Sequence, residues 1–184
     1  MKINKIEADG YENVVMANEP ETGLKAVIAV HDTTLGPALG GLRMWNYSTE
    51  EEAIFDVLRL SKGMTYKSAC ANTGLGGGKA VIIGDQRRDK TEPLMRAMGR
   101  FVDSLGGSYI TAEDVGIGIQ ELEWLQKETQ YVTGLSRQSG SSGNPSPFTA
   151  RGVIRGLFAC TEEKFGTSHL DRLHYSVQGL GQVG

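Results

Sequence analysis

No apolar run in this sequence approaches the roughly eighteen residues that would span a bilayer, and the opening Met1-Lys2-Ile3-Asn4-Lys5-Ile6 lacks the apolar centre of a secretory signal. Membrane contact is therefore not expected, and the protein reads as cytoplasmic. Cysteine is scarce. Cys70 and Cys160 lie far apart in apolar surroundings with no Cys-x-x-Cys spacing, which argues against a disulfide framework and makes both read as reduced core thiols. Histidine is as sparse, and His31, His169 and His174 have neither i, i+4 spacing nor cysteine partners, so no metal site is expected. Charge of a single sign is also missing. With 19 basic and 22 acidic residues interspersed, the net charge of -3 creates no basic field, and nucleic acid is not an expected partner. Ser142 has no Gly-x-Ser-x-Gly elbow around it, so no hydrolytic triad can be argued.

Glycine is abundant instead. The 25 glycines among 184 residues are about twice the usual share of roughly 7%, and they do not form a linker. They gather in knots at Gly36 to Gly41, Gly74 to Gly78, Gly116 to Gly118, Gly140 to Gly143 and Gly179 to Gly184, mostly at the ends of apolar segments. Residues without a Cβ are needed there for tight turns or for close approach of a ligand.

Tyr11 to Ala17 and Leu24 to His31 read as two strands joined by a turn. Gly36 to Gly41 reads as an irregular loop. Ser48-Thr49 with three following glutamates starts a helix carrying Ala53, Ile54, Val57, Leu58 and Ser61. Thr65 to Ala71 and Lys79 to Ile83 read as short strands. Leu94, Met98, Phe101 and Leu105 define a helix after Pro93, Ser108 to Thr111 a strand, Ile119 to Leu125 a helix and Tyr131 to Gly134 a short strand. Ser139 to Pro147 is the expected hinge. A long helix follows to Phe165, and Leu173 to Gln178 reads as a strand entering Gly179-Leu180-Gly181-Gln182-Val183-Gly184. Strands alternating with helices of this length indicate a layered α/β fold.

The chemistry concentrates between Ser61 and Lys79. Lys62, Lys67 and Lys79 stand there among small and apolar residues with no local carboxylate, a setting in which desolvation can lower a lysine pKa. Gly76-Gly77-Gly78-Lys79 is not a phosphate loop, because Thr73 and Ala80 occupy positions where that motif needs Gly and Ser or Thr. The remaining readings are a lysine approached closely by another group, or a surface strand opening with lysine. Asp114 follows a strand, where open α/β sheets bind ligands, although beside Glu113 it could equally be solvated. The closing Gly-x-Gly-x-x-Gly at Gly179, Gly181 and Gly184 has the strand-first context of a dinucleotide turn but not the following helix or acidic residue.

Taken together, Gly36-Pro37-Ala38-Leu39-Gly40-Gly41-Leu42-Arg43-Met44, Arg59 to Lys67, Gly76-Gly77-Gly78-Lys79, Tyr109 to Gly116 and Ser142 to Pro147 resemble the amino acid dehydrogenases acting on leucine, valine and phenylalanine. The resemblance runs from about Tyr11 over nearly the whole chain. It implies an α/β fold, a three-layer mixed sheet with helices on both faces. It also implies a substrate-binding and oligomerisation domain over 1–145, a linking helix over 146–172, and the first strand and glycine turn of a truncated nucleotide-binding domain over 173–184. The family's reaction is the reversible NAD-dependent oxidative deamination of an L-amino acid to a 2-oxo acid and ammonia.

By resemblance, Lys67 binds the substrate carboxylate, Lys79 activates the water that attacks the imine, and Asp114 exchanges protons with the substrate nitrogen. The backbone at Gly40 helps hold the substrate. Leu39, Met64 and Ala112 match the side-chain pocket, and Ala112 leans toward branched aliphatic substrates such as leucine. A homo-oligomer is expected. A glycine turn alone should not bind NAD, since the pyrophosphate needs a helix N-terminus, so the chain is expected to be the inactive substrate lobe of such an enzyme. The alternative is a natural truncated module for assembly or amino-acid binding.

Overall fold

Six strands form one sheet in the order β1-β2-β3-β5-β4-β6, with β1 at Lys2–Lys5, β2 at Asn13–Glu19, β3 at Leu24–Asp32, β4 at Ala38–Trp45, β5 at Gly76–Ile83 and β6 at Tyr109–Glu113. Strands β1, β2, β3 and β5 pair antiparallel, while β5, β4 and β6 run parallel. The sheet is therefore mixed, as expected. This computed structural model describes residues 1–171 and 173–184, in two compact units, Met1–Ser141 and Ser142–Gly184.

Alternation along the strands splits the apolar side chains of the first unit into two cores. On one face Ile28, Leu42, Met44, Ala80 and Ile82 pack with Leu94, Met98 and Phe101 of α2 (Glu92–Asp103) and with Leu122 and Leu125 of α3 (Ile119–Gln126). On the other, Val27, Ala29 and Val81 pack with Ala53 and Val57 of α1 (Glu50–Cys70). Helices thus cover both faces, which gives the three layers. Helices α1 and α2 begin where a hydroxyl caps them: Thr49 accepts from the Glu52 N–H and Thr91 from the Leu94 N–H.

Two local expectations fail for the same reason. Gly36 to Gly41 is not a loop, because β4 starts at Ala38 and runs through Gly40 and Gly41. Thr65 to Ala71 is not a strand, because α1 continues unbroken to Cys70. In both cases small residues that look like turn or strand formers are required by packing. At Gly40 a Cβ would overlap the Gly78 carbonyl oxygen of β5, and at Gly77 one would overlap the backbone of Thr65 in α1. The helix therefore rests directly on the strand. Its buried face is Ala53, Val57, Ser61 and Ser68, and beyond Ser61 a serine in place of an apolar residue hides its helical period in the sequence. Cys70 falls off that face and is exposed, as is Cys160, so neither is a core thiol. Tyr131 to Gly134 forms a single bridge, Val132 beside Thr111, rather than a strand.

In the second unit, α4 spans Ser146–Phe165 with Pro147 in its first turn and Gly166 at φ 65 in the left-handed region closing it. Among the described residues Thr161 alone is buried on this helix, so Phe148, Val153, Ile154 and Phe165 are exposed. The expected strand over Leu173 to Gln178 is irregular backbone. It has no neighbouring strand among the described residues, and an isolated strand leaves its backbone donors and acceptors unpaired. The expected boundary at position 172 lies outside the described residues. No described helix is long and apolar enough to cross a membrane.

The glycine packing gives a paired prediction. Gly40→Ala should lower stability by about 3 kcal/mol or more, since backbone must shift to admit the methyl group. Gly63→Ala, in α1 with nothing within 4 Å of its Cβ position, should raise it by about 0.5–1 kcal/mol. Urea unfolding midpoints of both variants check the pair, and equal effects would contradict the close approach of β4 and β5.

Candidate functional site

Register decides which residues share the face that α1 covers. In the parallel part of the sheet Leu39 lies level with Gly77 and Ile110, Gly41 with Ala112, and Arg43 with Val81. Positions two apart on a strand point the same way, so Leu39, Gly41 and Arg43 of β4, Gly77, Lys79 and Val81 of β5, and Ile110 and Ala112 of β6 face α1. Asp114 follows β6 directly. Three parallel strands thus turn these side chains to one face of the sheet, the face on which α1 packs over β4 and β5.

At the centre Lys79, only 5% exposed, donates from Nζ to Asp114 Oδ2. The second carboxylate oxygen of Asp114 accepts the Val115 N–H at 2.7 Å. Glycine makes room for the pair: a Cβ at Gly41 would come within 2.7 Å of the Glu113 carbonyl oxygen, 2.8 Å of Asp114 Cβ and 3.3 Å of Lys79 Nζ. At Gly40 the backbone carbonyl accepts a 2.7 Å hydrogen bond from the buried Tyr109 hydroxyl.

A second cation borders the pair. The Arg43 guanidinium lies 3.6 Å from Asp114 Oδ2 through one nitrogen and 2.7 Å from Asp56 Oδ2 through another. Asp56, on α1, also accepts from the Tyr47 hydroxyl at 2.8 Å and from Arg59 at 2.9 Å. The Arg43 Nε is buried and has no hydrogen-bond partner among the described residues. These groups border a crevice of about 440 Å³ that Trp45 and Phe55 also line.

The electrostatics follow from burial and these partners. Burial draws the Lys79 amine below the ordinary lysine value; Asp114 opposes this and the Arg43 charge reinforces it. Burial by itself would raise the Asp114 carboxyl, but Lys79, the Val115 N–H and Arg43 outweigh it and hold the group below the usual carboxylate range. Burial and the bond to Asp56 push the Tyr47 hydroxyl well above its normal value. A lysine that gives up its proton more readily than usual, set against a carboxylate that stays ionised, is an arrangement able to move protons.

Of the residues singled out in the sequence, Lys79 and Asp114 are in contact, and Leu39 and Ala112 share their face. Met64 precedes Thr65, the residue whose backbone lies on Gly77, and is half-buried, whereas Lys67 lies two residues further along α1. Lys67 is exposed and forms no ion pair among the described residues, and Lys62 is likewise exposed. Gly179, Gly181 and Gly184 belong to the second unit, where Gly179 adopts a positive φ of 92 and Gly184 folds back against it. Sequence reasoning missed Gly41 and Arg43. Reading Leu39-Gly40-Gly41-Leu42-Arg43 as a strand would have placed both on the Leu39 face. No cluster of metal-ligating side chains occurs among the described residues.

Comparison with known proteins bears on this geometry. Residues 11–131 match the family model described as Glu/Leu/Phe/Val dehydrogenase, dimerisation domain. The chain is 57% identical over 178 residues to a leucine dehydrogenase of Bacillus cereus, covering 97% of this chain and 49% of that protein. It is 53% identical over 174 residues to a phenylalanine dehydrogenase of Caldalkalibacillus thermarum, covering 95% and 47%. Among solved structures, the L-tryptophan dehydrogenase from Nostoc punctiforme aligns with a TM-score of 0.72 at 47% identity, over 95% of this chain and 49% of that one. The chain thus spans about half the length of the relatives it matches.

The ion pair carries a signed pH prediction. Because the folded state holds the Asp114 carboxyl below its unfolded value, its stabilisation is complete above the ordinary carboxylate pKa and is lost as pH falls through the folded value. Asp114→Asn should therefore be less stable than the parent at pH 7, by about 1–3 kcal/mol, and the gap should narrow as pH drops from 6 to 3. Urea melts across that range measure it; a gap that widens in acid would refute the assignment.

Proposed function

The chain belongs to the Glu/Leu/Phe/Val dehydrogenase family, and from that premise we propose that it forms the substrate-binding and oligomerisation part of an NAD-dependent L-amino acid dehydrogenase acting on leucine-like substrates. The observation that carries the reading is the contact of the buried Lys79, in β5, with Asp114, just past the carboxyl end of β6. Lys67, exposed near the end of α1, takes the substrate carboxylate. Lys79, with a lowered proton affinity, accepts a proton from the water that attacks the imine. Asp114 exchanges protons with the substrate nitrogen. Leu39, Met64 and Ala112 line the pocket for a branched aliphatic side chain, and the Gly40 backbone helps hold the substrate.

NAD is the proposed hydride acceptor of the whole protein. Gly184 folds back on Gly179, and a pyrophosphate cradle would need a helix N-terminus beside these glycines. Assembly into oligomers is part of the same reading, supported by the dimerisation-domain match, and so is a cytoplasmic setting. Residues 173–184 are proposed to open the nucleotide-binding region.

A decisive experiment joins this chain to the second half of the Bacillus cereus leucine dehydrogenase and follows NADH formation from L-leucine. Lys79→Ala and Asp114→Ala should each reduce turnover about 10²- to 10⁴-fold with little loss of leucine affinity. Lys67→Ala should instead raise KM by roughly 10- to 100-fold. An assembled fusion that binds leucine yet makes no NADH would overturn this reading in favour of an amino-acid-binding or assembly module.

A further inference from the structure

Arg43 is tied from both sides of the helix-sheet interface. One guanidinium nitrogen is fixed on Asp56, whose carboxylate is held by Tyr47 and Arg59 as well, and another faces the same Asp114 oxygen that accepts from Lys79. A lysine that serves as a base must be neutral for part of its cycle. Were Arg43 absent, Asp114 would be a partly buried carboxylate with no counter-ion whenever Lys79 is neutral, and such a charge is costly. Asp114 would then draw the proton back.

A guanidinium avoids this because it cannot lose its proton in a protein. We propose that Arg43 is a positioning residue, the permanent counter-charge that keeps Asp114 anionic and in place while Lys79 alternates between ammonium and amine. The fork geometry suits the task, since two nitrogens reach two carboxylates on different elements. Charged groups around the Lys79 amine are Arg43 from β4, Asp114 after β6 and Asp56 from α1, the last also held by Arg59 of the same helix. With Arg59 counted on Asp56, the group of Lys79, Arg43, Arg59, Asp114 and Asp56 is neutral when Lys79 is an amine. Without Arg43 it would be neutral only with Lys79 charged, and Lys79 would be held as an ammonium.

The inference rests on the reading of Lys79 as the base, but its test needs neither leucine nor NAD. The 184-residue chain is labelled with ¹³C at lysine Cε, the Lys79 signal is assigned by its loss in Lys79→Arg, and the amine is titrated by NMR. In the parent Lys79 should titrate below the exposed lysines. Arg43→Met, which keeps an apolar stem, should raise the proton affinity of Lys79 by roughly tenfold, and Arg43→Lys should bring it back to within about threefold of the parent. A Lys79 titration that Arg43→Met moves less than twofold, or that Arg43→Met and Arg43→Lys move alike, overturns the proposal. Should Arg43→Met fail to hold its circular dichroism spectrum, Arg43→Lys decides: a parent-like titration supports the role and a tenfold rise refutes it. Leucine binding, measured separately by calorimetry, can stand or fall without changing this outcome.

Discussion

A lysine that is 5% exposed needs a counter-charge, and much of the first unit is arranged around supplying it to Lys79. The partner, Asp114, comes from a different strand, and the strand between them must be bare for the two to meet. Glycine at position 41 meets that need, because any side chain would lie against Asp114 Cβ and Lys79 Nζ. The same economy of bulk recurs at Gly40 and Gly77, where strand meets strand and helix meets strand. Backbone conformational freedom is not the issue at these three positions, since their φ values are not positive. They are glycine because the backbones approach too closely for a Cβ.

Burial and pairing act on the two partners in different ways. For Asp114, the hydrogen bonds from Lys79 and the Val115 N–H and the charges of Lys79 and Arg43 outweigh desolvation, so the carboxylate persists. For Lys79, desolvation outweighs Asp114 and the more weakly acting Asp56, and the adjacent Arg43 tips the balance further toward the free amine. Arg43 in turn is anchored through Asp56 to Tyr47 and Arg59. The helix α1 therefore contributes more than an apolar cover. Through Asp56 it reaches into the charge balance of the strands beneath it.

Much of this fold is legible in the sequence. Strands β2, β3 and β6 and helices α2 and α3 announce themselves by valine-rich runs, capping hydroxyls and apolar period, and these suffice for a layered α/β reading. What misleads is small residues. Ser61 still keeps the helical spacing, but beyond it the buried residue of α1 is Ser68, where a pattern search looks for leucine, so the helix reads as ending early. Gly40 and Gly41 look like a loop for want of a side chain, yet they lie inside β4. Leu173 to Gln178 misleads in the opposite sense: its residues favour a strand, but strand formation is a property of pairs, and no partner lies alongside it among the described residues.

The sequence alone determined the lysines and the acid with chemistry to perform, through a local absence of carboxylates around Lys79 and the position of Asp114 just past a strand. It could also suggest, by resemblance, that these residues act on one substrate. Only the tertiary structure decided that Lys79 is buried on the strand while Lys67 stays exposed on the helix. It alone joined Arg43 and Asp56 to the pair. The physical reason is that charge pairing across 35 residues between Lys79 and Asp114, or across 13 between Arg43 and Asp56, depends on sheet order and register, which no local pattern in the chain records.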